Sequence, residues 1–148
     1  MGAKSSKARK RLSKKEYESL SAFRYALRRF LRFSEAAAEA VGLTQQQHQA
    51  LLAIKGFPGR ERVTNGEPAE RLQVRHHSVV GLVNRLEAQG LIVRERGESD
   101  RREFYINLTA RGAELLERLT AAHQEELRHI APQLGALLEG MDGSGTAS

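Results

Sequence analysis

Apolar residues return every three or four positions from Tyr17 onward. The series runs through Leu20, Phe23, Leu27, Phe30, Leu31, Ser34, Ala37, Ala38 and Val41. That period predicts an amphipathic helix over roughly 14–40. Ser13 with Glu16 has capping-box spacing at its start, and Gly42 ends it. Arg24, Arg28, Arg29 and Arg32 occupy its other face. Thr44 caps a second helix with Leu51, Leu52 and Ile54 inside, which stops before Gly56, Pro58 and Gly59. Residues 56–62 then read as a loop. Thr64 and Glu67 repeat the capping spacing, so a short third helix is expected over 65–72, with Ala69 and Leu72 as its apolar face. Gln73-Val74 breaks it. A fourth helix is expected over 75–89, with Val79, Leu82, Val83 and Leu86 on one face and Gly90 as its stop.

The period then changes. Leu91 to Arg96 and Phe104 to Leu108 read as strands, with the turn residues Gly97, Glu98, Ser99 and Asp100 between them. Thr109 caps a fifth helix holding Leu115, Leu116 and Leu119. A further helical stretch carries Leu127, Ile130, Leu134, Leu137 and Leu138, and Pro132 is expected to interrupt it. The fold class is therefore mainly α with a small β-hairpin wing. Two helices separated by a tight break, followed at once by a hairpin, have the proportions of a winged helix-turn-helix. The domain reading is a disordered basic tail over 1–13, a single domain over 14–141 and a flexible tail over 142–148.

Composition refines this in two ways. The net charge of +6 is uneven: seven of the 24 lysines and arginines fall within the first 15 residues. The rest of the chain is close to neutral, so basicity alone does not make the folded part a nucleic-acid binder. The tail itself reads equally well as a phosphate contact or a solubilising arm. There is no cysteine, which excludes disulfides and thiol chemistry. No membrane span and no secretory signal is visible, and a cytoplasmic location is expected. Nucleophile–base pairs, paired catalytic carboxylates, phosphate-cradling loops and metal clusters are not seen, so an enzyme is not expected, and neither is a cofactor. His76 and His77 are adjacent on a helix and point about 100° apart, which is poor geometry for one metal ion.

The chemistry that remains suits duplex DNA. A helix fits the major groove, and its first turns reach base edges. Arg75, His76, His77 and Ser78 stand at the start of the fourth helix, Gly81 leaves its face open, and Asn84 and Arg85 follow. Arg101 and Arg102 stand at the hairpin tip beside Asp100, whose carboxylate can orient a guanidinium for the minor groove.

Three strings carry a family resemblance: Leu72 to Leu91 with its Leu86-x-x-x-Gly90-Leu91 end, Asp100-Arg101-Arg102, and Leu108-Thr109-x-x-Gly112. In this order and spacing the chain resembles the MarR family (multiple antibiotic resistance regulators). The resemblance implies a homodimer, with dimerisation helices at about 14–40 and 109–141 and a winged helix at about 44–108. It implies a repressor of a near-palindromic operator, with Arg75, His76, His77, Ser78 and Gly81 facing the major groove and Arg102, supported by Asp100, in the minor groove. It also implies a small aromatic or anionic effector. Phe30, Phe33 and His48, with Arg28 or Arg32, would line its site, although the aromatics fit a dimer core, and the arginines a solvated surface, better than they fit a ligand site. A winged helix that binds protein without binding an operator is the alternative function.

The chain departs from the family pattern at Asn65 and Pro68, where apolar residues are usual, and at Arg75, where a small N-cap is usual. With Thr64 as N-cap, Pro68 would sit at the fourth helical position and cost up to about 3 kcal/mol. Either the helix starts later or the third helix is destabilised, in which case Pro68→Leu would raise the melting temperature. Polar Asn65 is expected to weaken the packing beneath the fourth helix.

Overall fold

The structure, a computed structural model, describes residues 11–97 and 104–141. Five helices and a three-stranded sheet follow in the order α1 (Lys14–Ala40), α2 (Gln45–Lys55), β1 (Val63–Thr64), α3 (Glu67–Leu72), α4 (His76–Ala88), β2 (Ile92–Arg96), β3 (Phe104–Leu108) and α5 (Ala110–Met141). Local chemistry explains most of the boundaries. Ser13 accepts from the Glu16 amide while the Glu16 carboxylate accepts from the Ser13 amide at 2.6 Å. Thr44 and Gln47 repeat the box at α2. Each box satisfies two amides that a bare helix start would leave unpaired. Gly42 and Gly90 close α1 and α4 with φ of +81° and +73°, in the region where a Cβ is strained.

The sheet has the order β1-β3-β2 and is antiparallel throughout. The expected two-stranded wing therefore gains a third strand. Val63 pairs with Ile106 and Thr64 with Tyr105, and the Asn65 amide continues the ladder to the Phe104 carbonyl at 3.2 Å. This strand also corrects the start of α3. Thr64 lies in the sheet and is not a helix cap; Gly66 is the N-cap. The Glu67 carboxylate reaches back to accept from the Thr64 amide at 3.0 Å and its hydroxyl at 2.8 Å, so half of the expected pairing survives as a tie between α3 and β1.

Pro68 falls in the first turn of α3, where its missing N–H has no helical partner to lose. It is fully buried. The proline is accommodated, and the expected gain from Pro68→Leu has no structural basis. Asn65 stands outside α3 and is exposed, bordering a narrow cleft beside Val79 and Val83 of α4. Pro132 likewise does not interrupt: α5 runs unbroken through it. Pro132 and Arg128 are both exposed, so the Arg128 carbonyl that loses its donor lies at a wet position.

One core joins these elements. Leu51 and Ile54 of α2, Val79, Val83 and Leu86 of α4, Val63, Ile92 and Ile106 of the sheet, and Leu116 and Leu119 of α5 all pack together. Ala38 is the contribution of α1. α1 and α5 lie along each other. Tyr17, Leu20, Leu27 and Leu31, spaced along one stripe of α1, stay exposed, as do Leu127 and Leu138 of α5. The apolar periodicity of α1 is thus answered by only two buried residues, Ser34 and Ala38, among the described residues of this chain.

Candidate nucleic-acid interface

The turn between α3 and α4 positions the candidate surface. Gln73 adopts a left-handed conformation, φ 55° and ψ 40°. Its amide donates to Glu70 O, its side-chain Nε2 donates to the same carbonyl at 2.8 Å, and the Val74 amide donates to Ala69 O. The strain of a non-glycine residue there is offset by these caps. α4 then buries Val79, Leu82, Val83 and Leu86, which turns its other side to solvent.

Arg75 is the extended N-cap of α4 and makes no side-chain cap bond, so its guanidinium is not used inside the helix. His76, His77 and Ser78 are exposed in the first turn, which contains no acid. The helix's positive end and its side chains therefore favour an anion together. Arg85 is exposed two turns on. His77, Ser78, Gly81 and Arg85 also border a hollow of about 610 Å³ that extends to Gln49 of α2 and Arg71 of α3. Asn84 differs from its neighbours, because its Oδ1 is already taken by Arg94 of β2. Asp100, Arg101 and Arg102 lie outside the described residues.

The joint behind α4 is tight. Thr109 Oγ1 donates to Gly90 O at 2.7 Å, the Thr109 amide donates to Leu91 O at 3.0 Å, and Thr109 Oγ1 accepts from the Gly112 amide at 3.1 Å. A Cβ on Gly112 would stand 2.0 Å from Leu91 O. The Leu-Thr-x-x-Gly string is thus a close approach of α5 to the segment that leaves α4.

The candidate effector residues are divided. Phe30 and Phe33 meet the ring of His123 edge-on, with centroids 5.8 and 5.4 Å away, and His48 lies 4.8 Å from it. Arg28 and Arg32 are exposed, and Arg28 borders a separate shallow hollow with Tyr17 and Leu20. His123 Nδ1 donates to Leu119 O at 2.6 Å, and its Nε2 then accepts from the Ser34 hydroxyl at 2.8 Å. His48 is 2% exposed and its Nδ1 has no hydrogen-bond partner among the described residues. Burial, then the neighbouring His123, holds its pKa below the ordinary histidine value. Sequence reasoning left His123 out of this group. Its spacing from Leu116 and Leu119, seven and four residues, was the available signal, since it places the ring on the buried stripe of α5.

The MarR family's sequence model matches residues 41–103. The organic hydroperoxide resistance transcriptional regulator of Bacillus subtilis is 31% identical over 111 residues, 68% of this chain and 74% of that protein. The chain belongs to the MarR family. A regulatory protein assigned to the hcr operon of Thauera aromatica is 30% identical over 105 residues, 71% of this chain but 61% of that protein, so the match spans less than two thirds of its length. Among solved structures, the Staphylococcus aureus MepR–DNA complex superposes with a TM-score of 0.64 at 25% identity, covering 77% of this chain and 82% of that one. The mainly helical architecture with its small antiparallel sheet is the MarR winged-helix fold. No helix among the described residues is long and apolar enough to cross a membrane.

Proposed function

We propose that this chain is a sequence-specific DNA-binding transcriptional regulator, not an enzyme, which acts in the cytoplasm as a homodimeric repressor on a palindromic operator. The observation that carries the reading is the two-sided character of α4. Its inner side is core, while its first turn offers Arg75, His76, His77 and Ser78 to solvent without an acid among them. That face fits the major groove: histidine and serine donate and accept at base edges, and Arg75 and Arg85 reach phosphates. MepR, a structural relative, is seen bound to DNA.

The exposed stripe of α1 and the exposed leucines of α5 support the dimer. A second copy would cover them, and two winged helices would then meet half-sites about 34–36 Å apart. Arg102 at the wing tip, supported by Asp100, would add a minor-groove contact, with Arg101 beside it. A small aromatic or anionic effector has to bias the junction of α1, α2 and α5, where Phe30, Phe33 and His48 gather on His123. Arg28 and Arg32 would serve only as its outer anion partners.

Selection of bound duplexes from a random-sequence pool, followed by titration of the winning duplex at several salt concentrations, tests the function. Log affinity should fall linearly and steeply with log salt. A flat response, or no enrichment of any sequence, overturns the reading in favour of a protein partner.

A further inference from the structure

Arg94 stands in the middle of β2, directly opposite Ile106 of β3. Strand alternation puts it on the same side as Ile92 and the wholly buried Ile106, where an apolar residue is the ordinary occupant. Its side chain crosses to α4. One terminal nitrogen donates to Asn84 Oδ1, and Nε faces Glu87 Oε2 at 3.5 Å. That Nε is sealed from water and makes no hydrogen bond among the described residues. Asn84 and Glu87 lie one turn apart on α4, so a single guanidinium holds two points of one helix face. Arg94 also borders a narrow cleft of about 40 Å³ between α4 and the sheet, with Asn65, Val79, Val83 and Phe104.

We infer that Arg94 is a positioning residue for DNA binding: its grip on Asn84 and Glu87 fixes the angle between the β2–β3 hairpin and the recognition helix α4. The inference rests on the DNA-binding reading above. Stability does not explain the residue. The Arg94 and Glu87 side chains keep 30% and 45% of their surface in water, and an ion pair so exposed contributes little to stability by itself. Geometry does explain it. A protein that docks a helix and a hairpin on one duplex needs the two held within roughly 0.5 Å and 10–20° of the productive arrangement. Hydrophobic contact alone is non-directional and allows the sheet to slide on the helix. A planar guanidinium with two fixed acceptors does not. Asn84 is accordingly an acceptor for Arg94 before it is a base reader.

The test is Arg94→Leu in the full-length protein, with the selected duplex as probe. The melting temperature should stay within a few degrees of the parent or rise, while operator affinity falls at least tenfold. The slope of log affinity against log salt should not change, because no phosphate contact has been removed. Affinity within twofold of the parent overturns the inference. So does a slope reduced by about one, which would make Arg94 a direct phosphate ligand. If Arg94→Leu melts below the assay temperature, Arg94→Lys carries the same test. Lysine keeps the charge but cannot serve both acceptors from a fixed plane, and a threefold or greater loss is expected; unchanged affinity overturns the inference. Failure of the parent protein to bind any duplex would instead refute the DNA-binding reading itself, and this inference with it.

Discussion

Replacing Gly112 by alanine should destabilise the protein, although alanine is the better helix former. The new Cβ would stand 2.0 Å from Leu91 O, 2.9 Å from Leu91 C and 3.2 Å from Leu91 Cα. Ordinary carbon–oxygen contacts lie at about 3.3–3.6 Å, so the shortfall exceeds an ångström. The obstacle is backbone, and it is held: Leu91 O accepts from the Thr109 amide at 3.0 Å. Relief requires α5 to retreat from Leu91, which sacrifices that bond at about 1 kcal/mol. Overpacking of this kind adds about 1–3 kcal/mol. The helix propensity of alanine returns at most about 1 kcal/mol. The net expectation is a loss of about 1–3 kcal/mol, or a fall of roughly 3–10 °C in melting temperature for a chain of this size. Gly81→Ala is the control. Nothing lies within 4 Å of a Cβ there, so the same exchange in α4 should raise the melting temperature by a few degrees. Thermal unfolding followed by circular dichroism reads both. A Gly112→Ala protein as stable as its parent would refute the close-contact reasoning.

Pro68→Ala should lower stability by about 1–2 kcal/mol, since it trades a fully buried ring in the first helical turn for a smaller side chain on a looser chain; chemical denaturation measures it, and a rise would show strain at that turn. His48 predicts a pH dependence. With its folded pKa below the ordinary 6.5, the unfolded chain takes up the proton first; the stabilisation is complete above about pH 6.5 and declines as the pH falls from there toward the lowered folded value. His48→Phe should flatten the melting temperature between pH 7.5 and 5.5 relative to the parent, and an unchanged profile would exonerate this residue. Arg102→Ala should weaken operator binding at least tenfold while leaving the dimer intact, as read by mobility shift at fixed salt and by sedimentation; unchanged affinity would remove Arg102 from the interface.

Features that depend on neighbouring residues were legible in the sequence. The limits of α1 follow from a capping box and a glycine, and the reader of the sequence needs no partner element to see them. The hairpin strands and the break at Gln73 are local in the same sense. What escaped depends on distant chain. Val63 and Thr64 are too few to show alternation, and the strand exists because β3, some forty residues later, supplies the ladder. That strand moved Thr64 out of the capping position and so shifted the start of α3. Pro132 looked like a break because the rule for helix interiors ignores which carbonyl is orphaned and whether water reaches it. The exposed first turn of α4 was legible, since its apolar positions define the opposite face. The clamp from Arg94 was not: on sequence alone an arginine in a wing strand reads as a solvated charge, and only the register opposite Ile106 turns it inward.

The segment from Gln89 to Arg96 is held from two directions, and this bears on how the protein can respond to anything. Arg94 ties it to α4 on one side. On the other, Thr109 and Gly112 press it against the start of α5, and Arg111 reaches the Gln89 carbonyl at 3.4 Å. α5 continues unbroken to His123, which lies eleven residues, or about 16 Å, further along the same rigid rod. There its ring lies against that of His48, tilted by 41°, and accepts from Ser34 of α1. A backbone contact without slack transmits displacement where a soft side-chain contact would absorb it. A shift of α5 at His123 would therefore be felt at the end of α4 and the root of the hairpin together, and with Arg94 joining those two they would move as one unit. Loss of DNA affinity by such a route would come from a changed spacing between the two winged helices of a dimer, with each reading head left intact.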